Sequence, residues 1–193
     1  EGQYNTVLGY QAFDAGEEDS RCVAIGYQAL TNADVSNTGT AVVTHNTAVG
    51  FQAGESTSTG KYNTYLGSTA GNTNTTGGNN TYIGYDADGS ANNASNQTAI
   101  GNGAAGHGDN IVVLGNTSVT AWHPADDAGV DLGATNYRFA NLYVADIQLS
   151  NKGNPNEVDG TEGSWSIQEG EDDLYLLNRK SGKKYKFKLE EIT

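Results

Sequence analysis

The chain has 193 residues, enough for one or two domains, and a formal net charge of −13. Ile, Leu, Val and Phe supply only 34 of the 193 residues, too few for the deep apolar core of a conventional globular enzyme and close to the composition of a disordered chain. Gly, Asn and Thr exceed a third of the residues, so any order has to come from a repeating backbone. A single cysteine, Cys22, excludes an intrachain disulfide, and no CxxC or Cys/His grouping has zinc-site spacing. No apolar run is long enough to span a membrane. The chain opens with Glu and contains no Met, which reads as a fragment or a processed chain. Residues 1–118 carry Arg21 and Lys61 against ten acids, a balance that argues against a nucleic-acid surface.

From the amino end, one short motif recurs. Thr-Val-Leu-Gly9, Val-Ala-Ile-Gly26, Thr-Ala-Val-Gly50, Thr-Tyr-Leu-Gly67, Thr-Tyr-Ile-Gly84, Thr-Ala-Ile-Gly101 and Val-Val-Leu-Gly115 place the glycines at intervals of 17, 24, 17, 17, 17 and 14. An alanine follows three residues after each of the first six glycines, from Ala12 to Ala104, and Asn5, Asn46, Asn63 and Asn80 stand four before theirs. The period is too short for two helices, and Thr, Tyr, Val and Ile crowd the segment before the glycine. Each unit therefore reads as a strand, a turn and a second short strand, seven coils stacked through residues 1–118. Glycine marks a corner where φ is positive or a side chain would clash, and the asparagines predict coil-to-coil hydrogen bonds.

Strand alternation puts the row Leu8, Ile25, Val49, Leu66, Ile83, Ile100 and Leu114 on one face, and its always-aliphatic character predicts the coil interior. The opposite row, Val7, Ala24, Ala48, Tyr65, Tyr82, Ala99 and Val113, is too apolar for solvent and is expected to pack against neighbouring chains. Tyr10, Tyr27, Phe51 and Tyr85, just after the glycines, are expected to pack between coils or chains. The polar stretches 71–79 and 31–45 are expected to project from the side.

The units Asn46-Thr-Ala-Val-Gly-Phe-Gln-Ala53 and Gln97-Thr-Ala-Ile-Gly-Asn-Gly-Ala104 resemble the head repeat of trimeric autotransporter adhesins of the YadA type, a repeat also found in bacteriophage tail fibres. The resemblance implies a left-handed parallel β-roll in a homotrimer. The family unit is typically 14 residues, so the 17- and 24-residue intervals depart from it.

After residue 118 the repeat stops, and 119–157 reads as a connector or neck, with Trp122-His123-Pro124 as a polar break. Asp131-Leu-Gly through Asn141-Leu-Tyr143 to Ile147 resembles a segment near the distal end of phage tail fibres, which favours phage over bacterial adhesin. Residues 158–193 read as a small antiparallel β domain, expected to serve trimerisation or capping. Its strand-like runs are Ser164–Ile167, Asp173–Arg179 and Lys184–Leu189, the last two flanking a two-residue turn signal, Ser181-Gly182. Tyr185, Phe187 and Leu189 are expected to face a small core, with Lys184, Lys186 and Lys188 in water. This ending resembles the C-terminal domain of fibre-like structural proteins in phages of marine cyanobacteria.

Chemistry-bearing motifs carry little. His45, His107 and His123 lack metal-site spacing, and Gly101-Asn-Gly-Ala-Ala-Gly106 matches a dinucleotide-loop spelling without the surrounding βαβ unit. Glu17-Glu18-Asp19 and Asp86/Asp88 read as solvated loop acids, not a glycosidase pair. Oxygen-rich loops leave Ca2+ open, without EF-hand spacing. The threonine row is not ice-binding, because its same-face partner is aliphatic. The expectation is a non-enzyme with no catalytic residue, metal or cofactor: a tail-fibre segment of the virion, extracellular, that attaches to the host surface. Its expected partners are two further copies, other tail proteins and a host glycan or protein receptor, with no nucleic acid and no membrane insertion. Tyr62, Trp122 and His123 are the candidate receptor contacts. The alternatives are a purely structural shaft or collar and a bacterial adhesin head.

Overall fold

The structure is a computed structural model and describes residues 2–16, 19–34, 42–125 and 130–188. Every regular element among them is a β-strand. The chain divides into two compact units, Glu1–His123 and Pro124–Thr193.

The first unit is a parallel β-solenoid. Its main wall is a seven-stranded sheet built from β1 (Thr6–Leu8), β3 (Val23–Ile25), β5 (Thr47–Val49), β6 (Thr64–Leu66), β7 (Thr81–Ile83), β8 (Thr98–Ile100) and β9 (Val112–Leu114), paired in that order. Register follows the repeat: Thr47 pairs with Thr64, Ala48 with Tyr65 and Val49 with Leu66. A second wall is thinner than expected. It consists of β2 (Asp19–Ser20) paired with β4 (Val42–Val43) and of single bridges Gly78–Ser95 and Asp88–Ala105.

Three corners recur from coil to coil, and the first four coils add a further left-handed position at Phe13, Leu30, Gly54 and Gly71. The motif glycines from Gly9 to Gly101 adopt φ of 131–144°, and a Cβ on Gly50 would lie 2.3 Å from the Gly67 carbonyl oxygen, so the coils touch backbone to backbone there. Tyr4, Arg21, His45, Tyr62, Asn79, Asn96 and Asn110 form a second corner with φ of 52–63°, and Gln11, Gln28, Gln52, Thr69 and Asp86 a third with φ of 50–57°. Left-handed backbone costs a non-glycine residue roughly 1–2 kcal/mol, so stacking has to offset it at every coil.

The asparagine row contributes to that offset. The Asn63 side chain accepts the Asn80 N–H at 3.0 Å and donates to the Gly77 carbonyl at 2.8 Å. Asn46 does the same one coil earlier and Asn80 one coil later, all fully buried. Gln97 continues the row, and its amide reaches Ser90 and Asp109 instead. Cys22 occupies the row in the second coil, where its N–H bonds the Asn5 side chain and its Sγ meets Thr44 Oγ1 at 2.9 Å. Burial pushes the Cys22 thiol pKa up.

The facing of the sheet is the reverse of the expectation. Ala24, Ala48, Tyr65, Tyr82 and Ala99 are the fully buried row, joined by Ala29, Ala53, Ala70, Ala87 and Ala104, whereas Leu66 is 47 % exposed. The physical reason is the width of the coil: the lumen is narrow enough that methyl groups or flat rings fill it, so the branched aliphatics point out. Nor does 71–79 project. Ser58 N–H bonds the Thr75 carbonyl and Thr75 N–H the Asn92 carbonyl, making this stretch part of the far wall. The wall makes room for Tyr65, whose hydroxyl accepts from Thr57 Oγ1 at 3.1 Å and Asn74 Nδ2 at 2.6 Å. The expectation for 31–45 falls mostly on residues outside those described.

The second unit holds a four-stranded antiparallel sheet, β10 (Asp146–Ser150), β11 (Ser164–Glu169), β12 (Leu174–Asn178) and β13 (Lys184–Lys186), in that order. Its first strand comes from the stretch read as connector, where Asp-Ile-Gln-Leu-Ser alternates. The turn after β12 is longer than two residues: Gly182 N–H bonds the Asn178 carbonyl, and the Asn178 side chain accepts from Lys180 and Ser181 N–H. Leu189 lies outside the described residues.

Candidate functional site

The outward face of the seven-stranded sheet is an ordered surface available for contact. Alternation lays two rows along it, a mostly threonine row from Thr6 to Val112 and the aliphatic row from Leu8 to Leu114. Leu8, Leu66, Ile100 and Leu114 are exposed, and Ile25, Val49 and Ile83 half-buried. Next to the aliphatic row, past the glycine corner, the rings of Tyr10, Tyr27 and Phe51 stack at centroid distances of 5.5 and 5.2 Å. The glutamines that follow make an amide ladder: Gln52 donates to Gln28 at 3.1 Å and Gln28 to Gln11 at 3.0 Å. The aliphatic row runs the length of the sheet and the aromatic row lines the first three coils, giving way to Ser68 and Asn102 further along, and exposed apolar rows of this kind mark an interaction surface.

The second unit repeats the theme. Ile147, Ile167, Leu176 and Tyr185 stand opposite one another across the four strands, with Leu149 and Trp165 beside them and the Trp165 and Tyr185 rings 5.8 Å apart. Ile147, Leu149 and Tyr185 are exposed. Ahead of the sheet, Leu132, Tyr137, Phe139, Leu142 and Tyr143 are exposed in chain that holds one tight turn, closed by the Ala134–Tyr137 bridge, and no strand, Tyr143 at 92 %. A shallow groove beside Trp165 is lined by Gln148, Ser150, Asn151 and Asn156, residues that the sequence reading did not single out. Lys186 pairs with Asp173 at 2.7 Å, which raises the lysine pKa.

The three residues expected to touch a receptor are all exposed and are not brought together. Tyr62 sits on the left-handed corner row with its ring stacked on His45 at 5.6 Å. Trp122, 67 % exposed, and His123 follow the last coil in chain without regular structure. Among the described residues no hydrogen bond or ring contact links Tyr62 to either.

Charged groups add little chemistry. Asp88 is held by N–H donors from Thr73 at 2.8 Å and Gly89 at 2.7 Å, yet partial burial outweighs them and raises its pKa. Among the described residues no group of three or more His, Cys, Asp or Glu is placed to hold a metal ion. Compared with known proteins, the chain matches no protein-family model, no curated protein and no solved structure.

Proposed function

We propose that this chain is a segment of a non-enzymatic phage tail fibre, three copies packed through the outward apolar stripe, which carries polar and aromatic corner loops to the host surface. The observation that carries the reading is the stripe itself. A single chain leaves Leu8, Leu66, Ile100, Leu114, Tyr10 and Phe51 exposed along the outward sheet face and its glycine corner, and a threefold assembly would cover these rows with identical ones. The connector side chains and the apolar face of the C-terminal sheet call for the same partner. The resemblance of the repeat, of 131–147 and of the ending to fibre proteins supplies the biological setting.

Attachment in this reading uses the residues left on the outside. Tyr62 with His45, Trp122 and His123 offer aromatic faces, and the corner asparagines offer amides. These are groups that recognise glycan rings and hydroxyls, and three copies on one shaft turn weak single-site binding into firm attachment. The test is binding of fluorescently labelled protein to a panel of marine cyanobacterial cells, before and after periodate oxidation of surface glycans. Saturable labelling that oxidation abolishes is the expected result. No labelling of any strain would overturn the attachment role and leave a spacer shaft.

A further inference from the structure

Arg21 and Lys61 are the only lysine or arginine residues in 1–118, a stretch with ten acids, and the winding of the coils brings both to one corner. That corner is the left-handed row five residues before each motif glycine, which runs Tyr4, Arg21, His45, Tyr62, Asn79, Asn96 and Asn110. Lys61 immediately precedes its Tyr62. Backbone hydrogen bonds fix the register: Arg21 N–H bonds the Gln3 carbonyl, Tyr62 N–H the Thr44 carbonyl and Asn79 N–H the Lys61 carbonyl, at 2.7–2.9 Å. Parallel strands stack about 4.8 Å apart, so Arg21, His45 and the Lys61-Tyr62 pair, on three consecutive coils, span about 10 Å.

Neither cation is engaged within the chain. Among the described residues the Arg21 guanidinium and the Lys61 ammonium have no ion pair and no side-chain hydrogen bond, and the one ion pair is Lys186 with Asp173. Asp19, two residues before Arg21, is fully buried. Arg21, His45 and Tyr62 are exposed and Lys61 half-buried, with the His45 and Tyr62 rings stacked at 5.6 Å and 23°. The row stands at the opposite end of each strand from the glycine corner, away from the aromatic row that lines that corner.

We infer that the corner formed by Arg21, His45, Lys61 and Tyr62 binds an acidic saccharide through a carboxylate or sulfate borne on a sugar ring. The guanidinium fork and the ammonium take an oxyanion by charge-assisted hydrogen bonds, and the imidazole adds an N–H donor. The Tyr62 ring offers apolar surface to the sugar beside that group. The acids elsewhere in the solenoid repel an anion, so charge selects this corner over the other faces. A nucleic acid needs a longer track of cations than two. The inference deepens the attachment reading and rests on it for its biological setting.

The test is an NMR titration of the full chain with trigalacturonate, its neutral methyl ester and a sulfated galactose trisaccharide, read at the Arg21, His45, Lys61 and Tyr62 amides. Saturable shifts at these amides are expected with at least one of the two acidic saccharides, at an affinity about fivefold or more above that of the ester, and the two arms separate carboxylate from sulfate. Arg21→Asn combined with Lys61→Gln removes both charges and puts at the corner a residue that the row already holds at Asn79, Asn96 and Asn110, so unchanged circular dichroism is expected. This variant should weaken the acidic saccharide by about fivefold or more and leave the ester as it was. Tyr62→Asn should weaken acid and ester alike, and Lys183→Gln with Lys188→Gln in the second unit should change neither. Equal affinity for acid and ester, no shift at the corner with either acidic saccharide, or binding lost with the second-unit variant and kept with the corner one would overturn the inference. Because the probes are pure saccharides, such a failure with host cells still labelled would sink the corner site and spare the attachment reading.

Discussion

Tyr65 and Tyr82 occupy the same lumen row one coil apart, with ring centroids 5.9 Å from each other, and differ in one respect. The Tyr65 hydroxyl is bonded to Thr57 and Asn74, whereas the fully buried Tyr82 hydroxyl has no partner among the described residues. Removing a bonded buried hydroxyl leaves its partners unsatisfied, and removing an unbonded one removes a desolvation cost. Tyr65→Phe should therefore lower unfolding stability by about 1–3 kcal/mol, while Tyr82→Phe should be neutral or stabilising, both measured by urea denaturation. Burial also pushes the Tyr65 pKa up to about 12, and that of Tyr82 is raised as well, first by burial. A raised folded-state pKa gives stability that is fully present below the ordinary tyrosine value near 10 and is lost as pH climbs through the folded value. The melting temperature should thus fall between about pH 10 and 12, and Tyr65→Phe should flatten that fall. Ultraviolet titration should show the two tyrosines ionising only as the chain unfolds.

At the scale of the element, each coil stands on its glycine corner and its amide. Gly50→Ala would put a Cβ 2.3 Å from the Gly67 carbonyl oxygen at a φ of 144°, and should cost at least about 2 kcal/mol in the same denaturation measurement. Asn63→Ala removes two buried hydrogen bonds, strands the Asn80 N–H and leaves the Gly77 carbonyl with only the 3.3 Å bond from the Asn74 side chain, a loss of about 2–4 kcal/mol. These rows were legible in the sequence because backbone stacking admits no other residue at the glycine and few at the asparagine. Which face closes was not legible. Alternation separates Tyr65 from Leu66 but is silent on the lumen's width, and width selects alanine methyls and a tyrosine ring over leucine. Asn74 was hidden for the same reason: it reads as loop until Tyr65 is placed inside and needs a partner. In the second unit, Lys184-Tyr-Lys announced β13, whereas β10 was read as connector because its alternation follows a run without regular structure.

For the whole molecule, the reversal of the sheet changes what an assembly has to cover. The row expected to meet neighbouring chains is buried within the coil, and the row expected inside is the one on the surface. Receptor contacts were the least legible part, since Tyr62, Trp122 and His123 are exposed without forming one site. If the proposed trimer packs through the aliphatic row, Leu66→Asp should separate the copies without unfolding the coil, because Leu66 points outward; unchanged far-ultraviolet circular dichroism with a reduced mass would show this. An aspartate at the buried Ala48 should instead abolish folding, read as loss of the same spectrum. The most direct test of the central claim is the mass of the intact protein in solution, by light scattering during size exclusion. The account predicts three times the 20.2 kDa chain mass. A stable species at the mass of one chain would contradict it, since the apolar stripe would then stand in water with nothing to cover it.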